Sequence, residues 1–375
     1  MKVAIDLTPA VKRRGGIGRY AEELTRALVS LDDGIEYQAF YLEGDGAAPR
    51  PPLDTLPRIT DRSSDRAWRA RVGLGSWLGL SYDRRFGDID LFHGTDHLLP
   101  PLRKIKTVFT ILDLTSVLFP HTQSFANRMY SRAMLPAYVH RADALIAISE
   151  STKRDAMAAW GLADNRIHAI PLGVREGFCP QEPGVVASVK ARLGIPPRYL
   201  LWVGTIEPRK NLETLYVALA QMRVNDVPLV VAGRKGWLYQ HSFEVLAREG
   251  VANRVHFTGP VADEDLPALY SGAEAFVFPS WYEGFGLPVL EAMACGAPVV
   301  ASDRSSLPEV AGAAGILVPP EDPRAWADAL DELLENPERR PEWGRKGRAR
   351  AAEFTWEKVA RATRDVYRRV CDGRS

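Results

Sequence analysis

Short apolar runs that end in turn-prone residues alternate with amphipathic stretches along almost the whole chain. Val3–Leu7, Ile35–Leu42, Ile89–His93, Thr107–Leu112, Ala144–Ser149 and Arg166–Ile170 read as buried strands, continuous in apolar character as parallel strands are. Between them lie helical patterns. Ile17, Tyr20, Leu24, Ala27, Leu28 and Leu31 share one face, and Ala126–Arg141 and Ser151–Trp160 are further helices. The rhythm restarts at Tyr199–Val203 and continues through Leu229–Ala232, Arg254–Thr258, Ala275–Pro279 and Pro298–Ala301. Strand–helix alternation predicts parallel βαβ units wound on both faces of a sheet.

The segment Pro171–Pro197 breaks this rhythm with Pro171, Gly173, Gly177, Pro180, Pro183 and Gly184, and reads as an interdomain linker. Two α/β domains are therefore expected, residues 1–178 and 179–354. Residues 355–375 are expected to form a helix returning to the first domain. Its apolar stripe is Trp356, Val359, Ala360, Thr363, Val366 and Tyr367, and a packed helix or a polybasic membrane contact both suit it. The length of 375 residues fits two cores better than one. A net charge of +1 gives no reason to expect nucleic acid as a bulk partner. Three scattered cysteines suggest neither a disulfide framework nor a zinc site, which fits a reducing compartment. No apolar stretch is long enough to span a bilayer, and the N-terminus reads as a strand rather than a signal peptide. A cytoplasmic protein, touching a membrane peripherally if at all, is the expectation.

Most chemistry is carried by Pro279-Ser-Trp-Tyr-Glu283-Gly-Phe285-Gly286-Leu287-Pro288-Val-Leu-Glu291. A strand ends at Pro279, glycines follow, and Pro288 occupies the first turn of a predicted helix. Glycines admit close backbone approach, and a helix N-terminus offers free N–H groups to an anion. Glu283 and Glu291 flank that site. A second unit, Val203-Gly204-Thr-Ile-Glu-Pro-Arg209-Lys210-Asn211, places two cations after a glycine turn at a strand's carboxyl end, where α/β sheets bind ligands. An arginine fork and a lysine point charge suit a diphosphate.

These motifs resemble those of the retaining glycosyltransferases of family 4, and the resemblance covers nearly the whole chain. It implies the GT-B architecture, an α/β fold of two Rossmann-like doubly wound domains facing each other across a cleft. It implies that Arg209 and Lys210 neutralise a leaving nucleoside diphosphate, that Glu283 and the backbone of Phe285, Gly286 and Leu287 hold the donor sugar, and that Glu291 holds the ribose. Gly204, Gly233 and Arg234 fall in loops like the family's donor loops, together with Phe257-Thr-Gly-Pro260. Gly15-Gly16 before the first helix resembles its glycine loop, with Gly16 toward donor phosphates or acceptor, although a plain structural turn fits as well. Likeness to mannosyltransferases suggests a hexose, mannose from GDP-mannose, moved to a glycan or lipid-linked saccharide. A UDP-sugar donor is the alternative, and the nucleotide sugar is a co-substrate with no cofactor or metal required.

One position departs from the pattern. Many relatives carry His-Asp-Leu where this chain has Leu112-Asp113-Leu114, so a histidine's role cannot be carried over. This keeps open a degenerate sugar-binding member. Asp113 is expected to contact sugar hydroxyls or acceptor, helped by His93 or His97, though His93 suits a core or capping place equally. Asp88-Ile-Asp90 and Asp263-Glu-Asp265 look superficially like a metal-binding motif but read as a strand lead-in and a helix start. Finally, Arg62–Arg85 mixes arginines with Trp68, Trp77, Leu78 and Leu80. That composition fits a membrane surface, a lipid-diphosphate acceptor, or a helix pair with a solvated basic face.

Overall fold

A computed structural model describes residues 1–44, 47–123 and 125–373. The chain folds into two compact units: Met1–Leu118 with Phe125–Gly173 and Thr355–Ser375, and Val174–Phe354 with the stretch Phe119–Ser124.

The first unit holds β1 (Lys2–Asp6), β2 (Glu36–Leu42), β3 (Arg58–Asp61), β4 (Leu91–Gly94), β5 (Lys106–Ile111), β6 (Ala144–Ala147) and β7 (Ile167–Ala169). They form one parallel sheet in the order β3-β2-β1-β4-β5-β6-β7. The second holds β8 (Leu200–Val203), β9 (Leu229–Ala232), β10 (Val255–Gly259), β11 (Ala275–Phe278), β12 (Val299–Ser302) and β13 (Ile316–Val318), ordered β10-β9-β8-β11-β12-β13. In each sheet the strand order reverses beside its first strand, between β1 and β4 and between β8 and β11. The carboxyl ends there are where doubly wound sheets bind ligands. The central strands are buried on both faces, which is why they read as unbroken apolar runs.

Two features differ from the sequence reading. Strands β3 and β13 sit at sheet edges, where half-exposed positions erase the apolar signal. The segment Pro171–Pro197 is only partly a linker, because it contains a helix, Pro183–Leu193. Pro183 stands in its first turn and Gly194 closes it in the left-handed region, so turn residues taken for a linker are helix caps. The apolar stripe of the tail helix Trp356–Cys371 is buried in the first unit, which is the packed helix of the two readings given for this segment. Gly173 is needed where the chain leaves that unit: a Cβ there would lie 2.4 Å from the backbone nitrogen of Trp356.

Candidate active site

At the switch point of the second sheet, the loops after β8 and β11 bring four charged residues together. Lys210 Nζ donates to Glu283 Oε1 at 2.7 Å, and Arg209 Nη1 lies 2.9 Å from Glu283 Oε2. Arg209 also donates to Glu207 Oε1 at 2.7 Å and to the Tyr282 carbonyl at 2.6 Å. All four are largely shielded, and Lys210 Nζ lies 4.9 Å from the centroid of the Phe278 ring. Burial alone would raise the Glu283 carboxyl, but Arg209 and Lys210 outweigh it and bring it down to about 2. Burial lowers Lys210 and raises Glu207. The cluster balances two cations with two carboxylates, each held in place by the others.

The following loop is fixed from beneath. Ser306 Oγ donates to the carbonyls of Glu283 and Phe285, and Glu283 N–H donates to Ser305 Oγ. Gly286 caps the helix Leu287–Ala294 at φ 103°, a conformation that favours glycine. The helix N-terminus therefore opens at the carboxyl edge of β11, with Phe285, Gly286 and Leu287 at its mouth.

Glu291, one turn into that helix, is only 1% exposed. It is held by a residue that the sequence reading missed. Arg175 Nε donates to Glu291 Oε1 at 2.9 Å, Arg175 Nη1 to Asp263 Oδ2 at 3.1 Å, and Tyr270 Oη to Glu291 Oε2 at 3.2 Å. Arg175 also lies over the Phe178 ring at 4.3 Å. Its position among prolines and glycines gave no functional signal. Arg175→Ala would leave Glu291 buried without its cation, an imbalance that costs about 3–5 kcal/mol. Urea unfolding is expected to show a loss of that size, with Arg175→Lys recovering part of it.

Gly204 and Gly233 end β8 and β9, and their glycine character has a structural reason. A Cβ on Gly233 would lie 1.6 Å from the Gly204 carbonyl oxygen, so the two loops cross in backbone contact. Arg234 is exposed beyond this crossing, and Trp237 Nε1 donates to the Thr122 carbonyl within the same unit. The Phe119 ring lies 5.3 Å from that of Tyr282, tilted by 34°, next to Glu283.

In the first unit the switch point lies between β1 and β4. Gly15 and Gly16 open the helix Gly15–Val29 and are both exposed; a Cβ on Gly16 would meet nothing within 4 Å. The glycine required by packing is Gly18, whose Cβ would lie 2.6 Å from the Pro9 carbonyl oxygen. Arg14 ties the loop down through ion pairs to Asp65 and Asp96. Asp6, at the end of β1, is pushed up to about 7 by burial. Neither Arg14 nor Asp6 was singled out by the sequence.

His93 corrects an expectation. It is 0% exposed, with Nδ1 2.6 Å from Tyr367 Oη and Nε2 2.7 Å from Thr110 Oγ1. Burial drives its pKa down to about 3. Both ring nitrogens are occupied inside the core, so the ring is a neutral packing element and cannot reach an acceptor. His97 is half-buried, its backbone N–H donating to Asp96 Oδ1 at 2.7 Å. Asp113 is part-exposed just beyond β5, where its Oδ1 accepts from Thr115 N–H at 2.8 Å, while Leu112 is buried. Among the described residues no group of three or more His, Cys, Asp or Glu is placed to hold a metal. Asp263 and Asp265 are instead ion-paired with Arg175 and Arg192.

Two doubly wound α/β units, one with a cation–carboxylate cluster at its switch point, define the class: a glycosyltransferase of the GT-B fold. The chain matches the family model described as Glycosyl transferases group 1 over residues 188–350, and that described as Glycosyltransferase Family 4 over residues 14–177. It belongs to the family 4 glycosyltransferases, which use nucleotide-sugar donors. It is 29% identical to the O-antigen chain mannosyltransferase B of Escherichia coli, over 98% of this chain and 100% of that one. It is 28% identical to the MMP alpha-(1->4)-mannosyltransferase of Mycolicibacterium hassiacum, over 99% and 98%. In fold it is similar to sucrose-phosphate synthase from Thermosynechococcus elongatus, with a TM-score of 0.76 and 24% identity, each chain covered completely.

Proposed function

We propose that the protein is a retaining hexosyltransferase that moves mannose from GDP-mannose to a glycan or lipid-linked saccharide, without a metal ion. The Arg209–Lys210–Glu283 cluster at the β8/β11 switch point carries this reading. In it, Arg209 and Lys210 take the diphosphate, and Glu283 with the Phe285–Leu287 backbone takes the sugar hydroxyls. The bond from the sugar's anomeric carbon to phosphate breaks as the acceptor hydroxyl attacks on the same face, and its proton goes to the departing phosphate. The protein then needs no nucleophile, only charge stabilisation and alignment. Asp113 and His97 serve the acceptor side, Gly16 approaches the donor phosphates or acceptor, and Gly204, Gly233 and Arg234 belong to the loops around the nucleotide. Glu291 is given to the ribose. The mannosyltransferases with which the chain aligns end to end support mannose.

Calorimetric titration with GDP-mannose, GDP-fucose, UDP-glucose, UDP-galactose and UDP-N-acetylglucosamine tests the donor. Selective uptake of GDP-mannose is expected, and it should be lost in Lys210→Ala. Selective binding of UDP-glucose would replace the donor while keeping the reaction. Binding without any product across acceptor trials would favour a sugar-nucleotide-binding protein, the reading that Leu112 supports. We place the reaction on the cytoplasmic side, at the inner face of a membrane. Among the described residues no helix is long and apolar enough to cross one.

A further inference from the structure

The arginine-rich segment Arg62–Arg85 resolves into two faces. Helix Asp65–Trp77 is N-capped by Ser64 and buries Trp68, Val72 and Gly75. Trp68 packs against Phe40 at 5.7 Å and Tyr82 at 6.0 Å. A Cβ on Gly75 would lie 2.8 Å from Tyr82 Oη, so the helix end and the turn behind it are pressed together. The other face is apolar and open. Leu74 is 56% exposed, Trp77 82%, Leu78 52% and Leu80 48%. Four large apolar side chains within seven residues protrude into solvent.

The same segment, and the turn at Arg103 and Lys104 that packs on Asp83 and Gly79, also carry cations. Arg66, Arg84 and Lys104 are exposed and have no ion pair among the described residues, and Arg103 reaches the Gly79 carbonyl. Of the acids in the segment, Asp61 is taken by Arg71 and Arg85 and Asp65 by Arg14. Asp83 accepts the backbone N–H groups of Arg103, Lys104 and Ile105. The region thus combines an apolar projection with more arginine and lysine than its carboxylates balance.

We infer that Leu74, Trp77, Leu78 and Leu80, together with Arg66, Arg84, Arg103 and Lys104, form a docking surface for an anionic phospholipid bilayer. This deepens the membrane placement proposed above by naming the side chains that enter the lipid. A projection rather than a groove suits a deformable apolar medium, tryptophan favours the headgroup boundary, and the surplus of cations matches anionic headgroups. Neither component suffices alone, since modest apolar insertion holds a protein firmly only when charge assists it.

The test is co-sedimentation of the full chain with vesicles, without donor or acceptor, so that its failure and a failure of the transferase reading are separate results. Vesicles of phosphatidylcholine containing about a third phosphatidylglycerol should bind the protein, pure phosphatidylcholine should not, and added salt should weaken binding. Trp77→Ser with Leu78→Ser should lower the partition coefficient more than ~10-fold, from the apolar area withdrawn. Arg66→Glu with Arg84→Glu should abolish the preference for anionic lipid. Both pairs should keep the wild-type melting temperature, because the four side chains changed are exposed. Equal binding to neutral and anionic vesicles, absence of binding, or unchanged binding by the Trp77/Leu78 variant would overturn the proposal. So would a dimer in gel filtration that dissociates on Trp77→Ser, which would make this face a contact between copies.

Discussion

Lys210→Ala is expected to lower turnover ~10²–10³-fold in a protein that remains folded, because in the proposed reaction it removes the buried cation that stabilises developing phosphate charge. The effect is large because Lys210 is only 9% exposed and lies against the Phe278 ring, where its charge is weakly screened by solvent. Folding survives because Glu283 keeps Arg209 2.9 Å from Oε2 and is not left as an orphaned buried charge. Lys210→Arg is not a mild alternative, since a planar fork replaces a point charge in a space already shared with Arg209. The acid limb of stability should change too. The Glu283 carboxyl lies near 2 in the folded protein, so its pairing stabilises the fold above the ordinary glutamate range and is lost as pH falls toward 2. With Lys210 gone the folded carboxyl is lowered less, so that contribution should be smaller and be exhausted at a higher pH. Steady-state turnover, paired with thermal melts at pH 7 and 4, reads both effects. Activity above about a tenth of wild type would remove Lys210 from the transition state.

The central strands were legible because burial on both faces leaves them uniformly apolar, as in Leu200–Val203 and Ala275–Phe278. The edge strand Arg58–Asp61 was not, because polar residues stand where a neighbouring strand covers only one side. Motif reading brought Arg209, Lys210 and Glu283 forward as candidates, but not the ion pairs among them. Lys210 and Glu283 are 73 positions apart, and only the adjacency of β8 and β11 brings them together. His93 misled for a related reason. A polar residue ending a strand reads as a site residue, whereas Tyr367, contributed from the far end of the chain, encloses it as core. Arg175 was hidden by composition, since a cation between glycines and prolines is usually solvated. Local pattern thus specifies elements and the edge where chemistry sits. Which charges neutralise one another is set by topology.

The loops at that edge make the last prediction. Gly233→Ala is expected to destabilise the second unit by at least ~4 kcal/mol and abolish donor binding, because a methyl group cannot be accommodated 1.6 Å from the Gly204 carbonyl oxygen. The neighbour is backbone and cannot rotate away. Nor can the loops separate cheaply, since Gly204 N–H donates to the Ala232 carbonyl at 3.0 Å and Ile206 N–H to the Arg234 carbonyl at 2.9 Å. Parting them would also pull at Arg209 and Lys210, which follow in the same loop, so donor binding should fall even in protein that stays soluble. Gly16→Ala is the contrasting case. Its Cβ would meet open space and its position lies in the first turn of a helix, so stability should be unchanged or slightly improved. If Gly16 admits a phosphate or acceptor to its backbone, activity should fall in that variant with no change in melting temperature. Calorimetric melts with and without nucleotide sugar separate the two. A Gly233→Ala protein as stable as wild type would mean that the β8 and β9 loops do not cross in contact, and Gly233 would then have to be read as Gly16 is, through a ligand.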